Sequence, residues 1–386
     1  MRKKILYINH IGIISGAERV LQNLLARLDQ SKFEPIIAVP ESGKLFTELQ
    51  NQGFRVYPIQ TPLLVRTQNP FKLIAYLFYF WKATSSIKIL IKKENVDLIH
   101  ANSFTAHLYS IMAARLTGKP LIWHMHDIVT QRWVNKPVIW FAGKMADKIV
   151  AVSNAVRNTL IRYGISADKI QTVYNGMNCE LPMPSFEDKN SIREEFNIPT
   201  GAILITMVGA LTPWKGQNIL LQAAIQLNSF KTELRYLFVG DILLESDKIF
   251  RKFLDNIVKQ NHLESQVVFT GFRSDVRTIM AASDIIIHSS VKPDPLPTVI
   301  LEAMTLSKPV IAARIGGVPE IIESGVTGLL YSPENTMELV EAITQLINDR
   351  YKQRIIGDSA RKRVEQSFNI KQNIAQIESI YYQIIR

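Results

Sequence analysis

Two carboxylates, Asp294 and Glu302, stand on either side of a proline that suits the start of a helix. Pro297 fits the first helical turn because it has no N–H group to leave unpaired, so the amides of Thr298 and Val299 can point at an anion. Glu302 comes round to nearly the same face and can accept both hydroxyls of a ribose, while Asp294 in the preceding loop can bind sugar hydroxyls. The spacing therefore predicts a diphosphate site between a ribose and a sugar.

A lysine follows another predicted strand, in the turn Val208–Gly216. Lys215 precedes a predicted helix at the carboxyl end of that strand, where ligands of open α/β sheets bind and where its charge can neutralise a phosphate. A solvated surface lysine is the alternative, but Trp214 beside it is an unusual neighbour for one. We therefore predict that Lys215 binds phosphate.

The first predicted strand, Lys4–Ile8, leads into a turn that contains Ser15 and Gly16. A glycine there lets backbone N–H groups approach an anion at a helix N-terminus. The turn lacks the Gly-x-Gly-x-x-Gly dinucleotide fingerprint, and a glycine in such a turn more often serves the turn itself. By itself, this pattern indicates only a strand followed by a helix.

Short apolar runs alternate with helical patterns along the whole chain, which is typical of parallel sheets covered by helices on both faces. The runs are Lys4–Ile8, Pro35–Val39, Arg55–Ile59, Asp97–His100, Leu121–Met125, Lys148–Val152 and Ile170–Tyr174, then Ala202–Val208, Leu234–Val239, Gln266–Phe269, Asp284–His288 and Pro309–Ala313. Helices are expected over roughly 334–386.

At 386 residues the chain exceeds the usual size of one hydrophobic core. We expect two doubly wound, Rossmann-like α/β domains, 1–178 and 179–368, with a cleft between them. A final helix, 369–386, is expected to cross back to the first domain. The stretch Met177–Asn190 has two prolines and no clear period, so we place the linker there.

The net charge of +11 is unevenly distributed. Residues 1–178 contain 23 Lys and Arg against 10 Asp and Glu, whereas the rest of the chain is slightly acidic. A basic half can meet nucleic acid, an anionic membrane or an acidic substrate. Since no nucleic-acid recognition module accompanies the charge, nucleic acid is not expected as a partner.

The stretch Phe71–Lys93 mixes large apolar and basic side chains. They are Phe71, Tyr76, Phe78, Phe80 and Trp81, with Lys72, Lys82, Lys88, Lys92 and Lys93. This mixture suits a membrane interface, and it equally fits a core-facing helix with a solvated lysine edge. The longest apolar run, Leu73–Trp81, is shorter than the roughly 20 residues needed to cross a bilayer.

Cysteine and histidine usage bears on metals and on the compartment. The single cysteine, Cys179, excludes an internal disulfide and a site of several thiolates. His124 and His126 share a face of a predicted strand beside Asp127, but no third ligand stands nearby in sequence, so no metal site is expected. The first residues lack the apolar core of a signal peptide, and we expect a cytoplasmic protein.

The order and spacing of these motifs resemble the retaining GT-B glycosyltransferases of family 4, which act on nucleotide-sugars, over nearly the whole chain. The motifs are Ser15–Glu18, Asp97–Ala101, His126–Asp127, Val152–Asn154, Tyr174–Gly176, Lys215–Gly216, Phe269–Phe272, the pair Asp294 and Glu302, and Gly316–Glu320. No single motif decides the matter. Their joint order makes a chance match improbable, because each lies at the end of a predicted strand.

The resemblance implies a role for each matching residue. It assigns Lys215 to the donor diphosphate, and Asp294 and His126 to the transferred sugar, as the residues expected to be catalytic. The other donor-binding residues would be Gly16, Gly209, Gly271, Phe272, Leu296, Thr298, Val299 and Glu302, with Gly271 and Phe272 at the base and Glu302 at the ribose. No cofactor is implied, because cationic side chains and helix dipoles replace a divalent metal ion in such enzymes.

Two positions depart from the family pattern. Ala210 stands where an arginine usually follows the glycine, and Lys292, Arg273 or Arg314 are candidates to replace it. An arginine donates charge-assisted bonds, worth roughly 1.5 to 3 kcal/mol each, to a diphosphate whose charge grows in the transition state. Asp294 replaces the usual glutamate, and its shorter side chain predicts an altered contact with the sugar.

We therefore expect a retaining, metal-independent hexosyltransferase that uses a nucleoside diphosphate sugar and a saccharide or lipid-linked acceptor, in cell-surface polysaccharide or glycolipid synthesis. The basic first domain would bind the acceptor and attach peripherally to the inner face of the cell membrane. A sugar-nucleotide epimerase is one alternative, because it would use the same pocket without an acceptor. A non-catalytic binder of sugar-nucleotides is another, which Ala210 keeps open.

Overall fold

The computed structural model describes residues 2–61, 70–129, 136–230 and 232–385. The chain forms two compact units, each built on its own parallel sheet. The N-terminal unit comprises Met1–Gly176 together with Ile370–Arg386, and the C-terminal unit comprises Met177–Asn369. The chain thus leaves the first unit once and returns to it for its last helix.

Among the described residues, the N-terminal unit has seven strands, β1 Lys3–Ile8, β2 Phe33–Val39, β3 Arg55–Pro58, β4 Leu98–Ala101, β5 Leu121–Met125, β6 Lys148–Ala151 and β7 Ile170–Thr172. Neighbouring strands are parallel, in the order β3-β2-β1-β4-β5-β6-β7. The helices that accompany them are α1 Gly16–Arg27, α2 Lys44–Asn51, α3 Pro70–Glu94, α4 Phe104–Thr117, α5 Lys136–Met145 and α6 Asn154–Arg162.

The described part of the C-terminal unit has six strands, β8 Ile203–Val208, β9 Leu234–Val239, β10 Val267–Gly271, β11 Ile285–His288, β12 Val310–Ala313 and β13 Leu329–Tyr331. They are also parallel, in the order β10-β9-β8-β11-β12-β13. The helices are α7 Phe186–Glu195, α8 Gln217–Leu227, α9 Asp247–Gln260, α10 Val276–Ala282, α11 Thr298–Thr305, α12 Val318–Ile321, α13 Thr336–Ile347 and α14 Arg350–Ser367. Two doubly wound α/β sheets result, as the sequence predicts.

Two elements differ from the sequence prediction. The expected linker Met177–Asn190 is wrong in its second part, because α7 begins inside it. Ser185 and Asp188 form a capping box there, in which each side chain accepts from the other's backbone N–H group, at 3.0 and 2.9 Å. The sequence also does not predict β13, whose three residues are too few to show a period.

The last helix, α15 Ile370–Ile384, completes the core of the N-terminal unit. Its side chains Ile374, Ile377 and Ile380 are buried beside α1 and the first sheet. The hydroxyl of Tyr381 lies 2.9 Å from the hydroxyl of Tyr7 on β1. The return of this helix to the first unit agrees with the sequence prediction.

In each sheet the order of the strands reverses at one place, between β1 and β4 and between β8 and β11. Ligands of doubly wound sheets bind just beyond the carboxyl ends of the strands at such a point. The candidate residues lie in the loops that follow β1, β5, β8, β10 and β11. Each unit therefore brings its own candidates to one edge of its sheet.

Candidate active site

The loop after β8 is held against the loop after β11. The N–H group of Val291 donates to the carbonyl oxygen of Trp214 at 2.9 Å, and the hydroxyl of Ser289 donates to that of Gly216 at 2.8 Å. Gly216 has a φ of +76°, and a Cβ atom there would lie 2.1 Å from the carbonyl oxygen of Ser289. These contacts fix the turn that carries Lys215.

Lys215 and Asp294, which the sequence analysis assigns to the phosphate and the sugar, contact each other. The Nζ atom of Lys215 donates to Oδ2 of Asp294 at 2.7 Å and lies 4.1 Å from the ring centroid of Trp214. The two charged side chains are only 16% and 10% exposed. At such burial the removal of one partner leaves the other charge uncompensated, which is costly.

His288, the last residue of β11, also faces Asp294. Its Nε2 atom lies 3.5 Å from Oδ2 of Asp294. Burial by itself raises the pKa of Asp294, but His288 and Lys215 outweigh burial and hold that pKa below its usual range. Burial lowers the pKa of His288, against the opposing effect of Asp294. At neutral pH, Asp294 is therefore ionised and His288 is neutral.

The backbone of Asp294 is held by the glycine pair after β12. The N–H group of Gly317 donates to the carbonyl oxygen of Asp294 at 2.8 Å. Gly316 has a φ of +61°, and a Cβ atom there would lie 2.1 Å from the same oxygen. The glycines of the motif Gly316–Glu320 thus position the loop that carries Asp294.

Helix α11 begins at the predicted anion site. Pro297 is the N-cap, so Thr298 and Val299 are the first helical residues, and their N–H groups have no acceptor within the helix. Both residues are partly buried. Glu302 follows one turn after Thr298, also partly buried, and its charge acts on Arg277. The segment Asp294–Glu302 therefore presents one carboxylate, two backbone N–H groups and a second carboxylate, in that order along the chain.

Three glycines stand side by side at the ends of β8, β9 and β10. Gly209, Gly240 and Gly271 have φ values of +155°, +140° and +71°. A Cβ atom on Gly240 would lie 2.1 Å from the carbonyl oxygen of Gly209. The N–H group of Gly240 donates to the carbonyl oxygen of Gly271 at 3.0 Å. Phe272, which follows, is 70% exposed, and Leu296 is buried. The edge that carries Lys215 thus continues to the predicted base pocket.

The cations proposed to replace the arginine absent at Ala210 differ in their surroundings. Arg273 forms paired hydrogen bonds to the carboxylates of Glu195 and Asp275, at distances between 2.6 and 2.9 Å. These bonds hold the guanidinium away from a phosphate role. Lys292 and Arg314 are exposed.

In the N-terminal unit, a buried carboxylate holds the turn that presents Gly16. Gly16 is the first residue of α1, and Ser15 is its N-cap. Oε2 of Glu18 accepts from the N–H group of Ser15 at 3.0 Å and from its hydroxyl. Oε1 of Glu18 accepts from Nδ2 of Asn9 at 3.1 Å. Glu18 is only 2% exposed, although it lies in the first turn of a helix.

Asn9 and Asn102 connect this carboxylate to His126. The Nδ2 atom of Asn102 donates to Oδ1 of Asn9 at 3.1 Å, and Oδ1 of Asn102 lies 3.0 Å from Nε2 of His126. Burial lowers the pKa of His126 to about 4. Gly16 and His126 are thus joined by a network whose two asparagines the sequence analysis does not single out. Each asparagine directly follows a strand, which is the signal that could have found them.

His124 lies in the core below this network. Its Nδ1 atom lies 3.0 Å from Nε2 of His100, and Nδ1 of His100 lies 2.7 Å from the hydroxyl of Tyr381. Burial lowers the pKa of His100 to about 3 and that of His124 well below its usual value, so both are neutral. In the described ranges, no group of three or more His, Cys, Asp or Glu side chains is arranged to hold a metal ion.

Helix α3 buries one face and exposes the other. Ala83, Ile87 and Ile91 are buried, whereas Leu77, Phe78, Trp81 and Ile89 are 58% to 67% exposed, and Val138, Trp140 and Phe141 on α5 are nearly half exposed. The buried face agrees with the core-facing interpretation, and the membrane-interface interpretation stays a prediction. Phe71, Lys72 and Tyr76 lie outside the described side chains. Within the described residues, no helix is long and apolar enough to cross a membrane.

Two family models together match most of the chain. The model of Glycosyltransferase Family 4 matches residues 14–181, and the model of glycosyl transferases group 1 matches residues 188–363. The first match contains Gly16 and His126. The second contains Lys215 and the acidic pair Asp294 and Glu302.

Two curated proteins are similar over most of their length. The N-acetyl-alpha-D-glucosaminyl L-malate synthase of Bacillus anthracis is 26% identical over 327 residues, 83% of each chain. The UDP-Gal:alpha-D-GlcNAc-diphosphoundecaprenol alpha-1,3-galactosyltransferase of Escherichia coli is 24% identical and covers 99% of this chain and 97% of its own.

Two solved structures are similar over almost the whole chain. Anabaena HepE in complex with UDP and glucose has a TM-score of 0.85 and 27% identity, covering 99% of this chain and 100% of its own. A glycosyltransferase from Rickettsia africae has a TM-score of 0.86 and 26% identity, covering 100% of this chain and 99% of its own.

Proposed function

The chain belongs to glycosyltransferase family 4 and has the GT-B fold, and we propose that it is a retaining hexosyltransferase acting on a nucleoside diphosphate sugar. The observation that carries this proposal is the buried pair of Lys215 and Asp294 beside the N-terminus of α11. The UDP and glucose bound to Anabaena HepE support the donor class. The E. coli relative is a galactosyltransferase for alpha-D-GlcNAc-diphosphoundecaprenol, and this similarity supports a saccharide or lipid-linked acceptor for the present chain.

In the proposed donor complex, the diphosphate binds Lys215 and the amides of Thr298 and Val299. It gives Lys215 a new anionic partner, so Asp294 is released to accept hydrogen bonds from sugar hydroxyls. Glu302 binds the ribose, and the base lies at Gly271, Phe272 and Leu296, with the Gly209 loop against the phosphates. Binding therefore exchanges one buried charge pair for another, which limits the desolvation cost.

In the proposed reaction, the bond between the anomeric carbon and the diphosphate breaks as the acceptor oxygen adds to the same face. Lys215 and the helix amides stabilise the negative charge that develops on the leaving oxygen. The acceptor's proton passes to that oxygen, so no side-chain base is required. Because these groups supply the positive charge, we propose that no metal ion is needed.

The N-terminal unit is the proposed acceptor side. It carries the excess of basic residues, and both α3 and α5 expose apolar side chains on it. An anionic lipid surface matches both properties, because lysines attract the headgroups while aromatic side chains enter the interface. We propose that the protein works on the cytoplasmic face of a membrane, attached peripherally.

A ligand panel tests the donor assignment. A ligand that binds only the folded state raises the melting temperature, and the rise grows with the logarithm of the ratio of ligand concentration to dissociation constant. We expect one nucleoside diphosphate and its sugars to raise it, and Lys215→Met to abolish the effect while the exposed control Lys252→Met retains it. If no nucleoside diphosphate or its sugar shifts the melting temperature, the proposed donor site is wrong.

Chromatography and proton NMR of the products separate the three hypotheses, because an epimerised sugar-nucleotide has the same mass as its substrate. Transfer to an added lipid-linked saccharide supports the hexosyltransferase, whereas an isomerised sugar-nucleotide formed without acceptor identifies an epimerase. Binding without either product identifies a non-catalytic relative. We keep this as the second candidate because Ala210 replaces the usual arginine and Arg273 is hydrogen-bonded to Glu195 and Asp275. In that case, we expect Ala210→Arg to raise turnover from near zero by restoring the second cation.

A further inference from the structure

The amide of Asn9 has one acceptable orientation. Its Nδ2 atom lies 2.7 Å from the carbonyl oxygen of Ile11 and 3.1 Å from Oε1 of Glu18. A carbonyl oxygen can only accept, and the Glu18 carboxylate already accepts from Ser15 at its other oxygen. Reversing the amide would place an oxygen against two acceptors. The Oδ1 atom of Asn9 therefore faces Asn102.

This orientation sets the next two groups in turn. Oδ1 of Asn9 needs a donor, which is Nδ2 of Asn102 at 3.1 Å. Oδ1 of Asn102 then faces Nε2 of His126 at 3.0 Å, and an amide oxygen can only accept. Nε2 of His126 must therefore carry a hydrogen. The four residues form a head-to-tail chain in which every donor points towards Glu18.

The same chain defines the other ring nitrogen of His126. The pKa of about 4 keeps the imidazole neutral, and a neutral ring with its hydrogen on Nε2 has a bare Nδ1 that can only accept. No hydrogen bond to this Nδ1 atom is present within the described part of the chain. His126 is partly exposed, whereas Asn9 and Asn102 behind it are fully buried. The ring thus turns an unused acceptor away from the network.

We propose that Glu18, Asn9 and Asn102 are positioning residues that hold His126 in its Nε2–H form, so that Nδ1 accepts a hydrogen bond from a hydroxyl of the transferred sugar. The hydroxyl rests on the proposed function and on the family resemblance, which assigns His126 to the transferred sugar, whereas the proton position rests on the network alone. The site then selects for a hydroxyl that donates. A sugar without that hydrogen leaves Nδ1 unpaired.

Nitrogen NMR on the full-length, histidine-labelled protein tests the proton position without any donor. At pH 7 we expect a protonated Nε2 and an unprotonated Nδ1 for His126, with the signals assigned by His126→Gln. Asn102→Leu removes the acceptor of the Nε2 hydrogen, so the two signals should move towards an average of both tautomers. Asn23→Leu on α1, outside the network, should leave them unchanged.

Glu18→Gln provides a second, smaller perturbation. The new amide must turn its oxygen to the N–H group of Ser15, which sets its nitrogen against Nδ2 of Asn9 and breaks the head-to-tail order. We expect a partial shift of the His126 signals, and none in the exposed control Glu48→Gln. The positioning role is overturned if Nδ1 of His126 is protonated in the unchanged protein. It is also overturned if neither Asn102→Leu nor Glu18→Gln changes the His126 signals.

Donor analogues test the hydroxyl. In these, each sugar hydroxyl in turn is replaced by hydrogen or by fluorine, which cannot donate. At the position facing His126, both replacements should lower kcat/KM by about 10-fold, mainly through KM, and Asn102→Leu should shrink this loss. If fluorine restores activity at every position where hydrogen loses it, His126 donates and the inference fails. If the unchanged protein transfers no sugar at all, the proposed function fails, and the NMR result alone decides the positioning role.

Discussion

At the scale of single residues, the site is organised by contacts between residues far apart in the chain. The sequence predicts both Lys215 and Asp294, from their places after strands and before helices. It does not predict that they pair with each other, because 79 residues separate them and no period connects them. The contact of His288 with Asp294 is not predicted either, because nothing in the sequence indicates which residue a histidine at the end of a buried strand will contact.

Lys215→Met should destabilise the fold in a pH-dependent way. In the unchanged protein the pKa of Asp294 is below its unfolded value of about 3.9, so its contribution to stability is present above that pH and is lost only as the pH falls further. Without Lys215, Asp294 loses one of the two groups that oppose the effect of burial on its pKa. We expect a loss of about 3 kcal/mol at pH 7. Urea denaturation from pH 4 to 8 measures it, and a result equal to that of Lys252→Met would contradict the pairing.

At the scale of elements, the predicted strands are reliable because their apolar runs are long enough to reveal buried positions. Helix α7 and strand β13 are not predicted, since the first depends on a local cap formed by Ser185 and the second on pairing with β12. For α3, the sequence predicts a helix-like mixture but not the division of its faces. That division depends on which side chains α4 covers.

The exposed face of α3 makes a testable surface. Phe78→Ser and Trp81→Ser together should weaken binding to anionic vesicles by at least 10-fold, because each aromatic side chain contributes about 1.5 to 3 kcal/mol when it leaves water. Flotation at low salt measures the bound fraction. Ile249→Ser, at a 77% exposed position of the C-terminal unit, is the matched control. If the unchanged protein stays at the bottom of the gradient, the membrane proposal is wrong.

Helix α15 should be essential to the N-terminal unit. Ile377 is 1% exposed within its core, so Ile377→Ala should cost about 3 kcal/mol of unfolding free energy through the cavity that it leaves. Gln383→Ala, at an exposed position of the same helix, should cost little. Urea denaturation compares the two. Equal stabilities would show that α15 is not part of this core.

At the scale of the whole molecule, the two units should respond differently to acid. His100, His107, His124 and His126 all belong to the N-terminal unit, and burial lowers the pKa of each. Below about pH 6.5 the unfolded chain takes up protons there that the folded unit does not accept until about pH 4 for His107 and His126, and lower still for His100 and His124. Each histidine therefore removes up to about 1.4 kcal/mol per pH unit in this window.

Hydrogen exchange between pH 7 and 5, corrected for its intrinsic pH dependence, should show the N-terminal unit opening first. His107→Asn should flatten its pH dependence, and His262→Asn, at an exposed position of the C-terminal unit, should not. Earlier opening of the C-terminal unit would contradict the expectation. The sequence does not predict this asymmetry, because it shows the number of histidines but not their burial.

The return of α15 to the first unit has a consequence for synthesis on the ribosome. The C-terminal unit is continuous, from Met177 to Asn369, and all of it has been made before the last helix appears. The N-terminal unit, although begun first, lacks the side chains that cover Tyr7 and its neighbours until α15 has left the ribosome. It is therefore completed only after the C-terminal unit, and a nascent chain keeps part of its first core uncovered until α15 emerges.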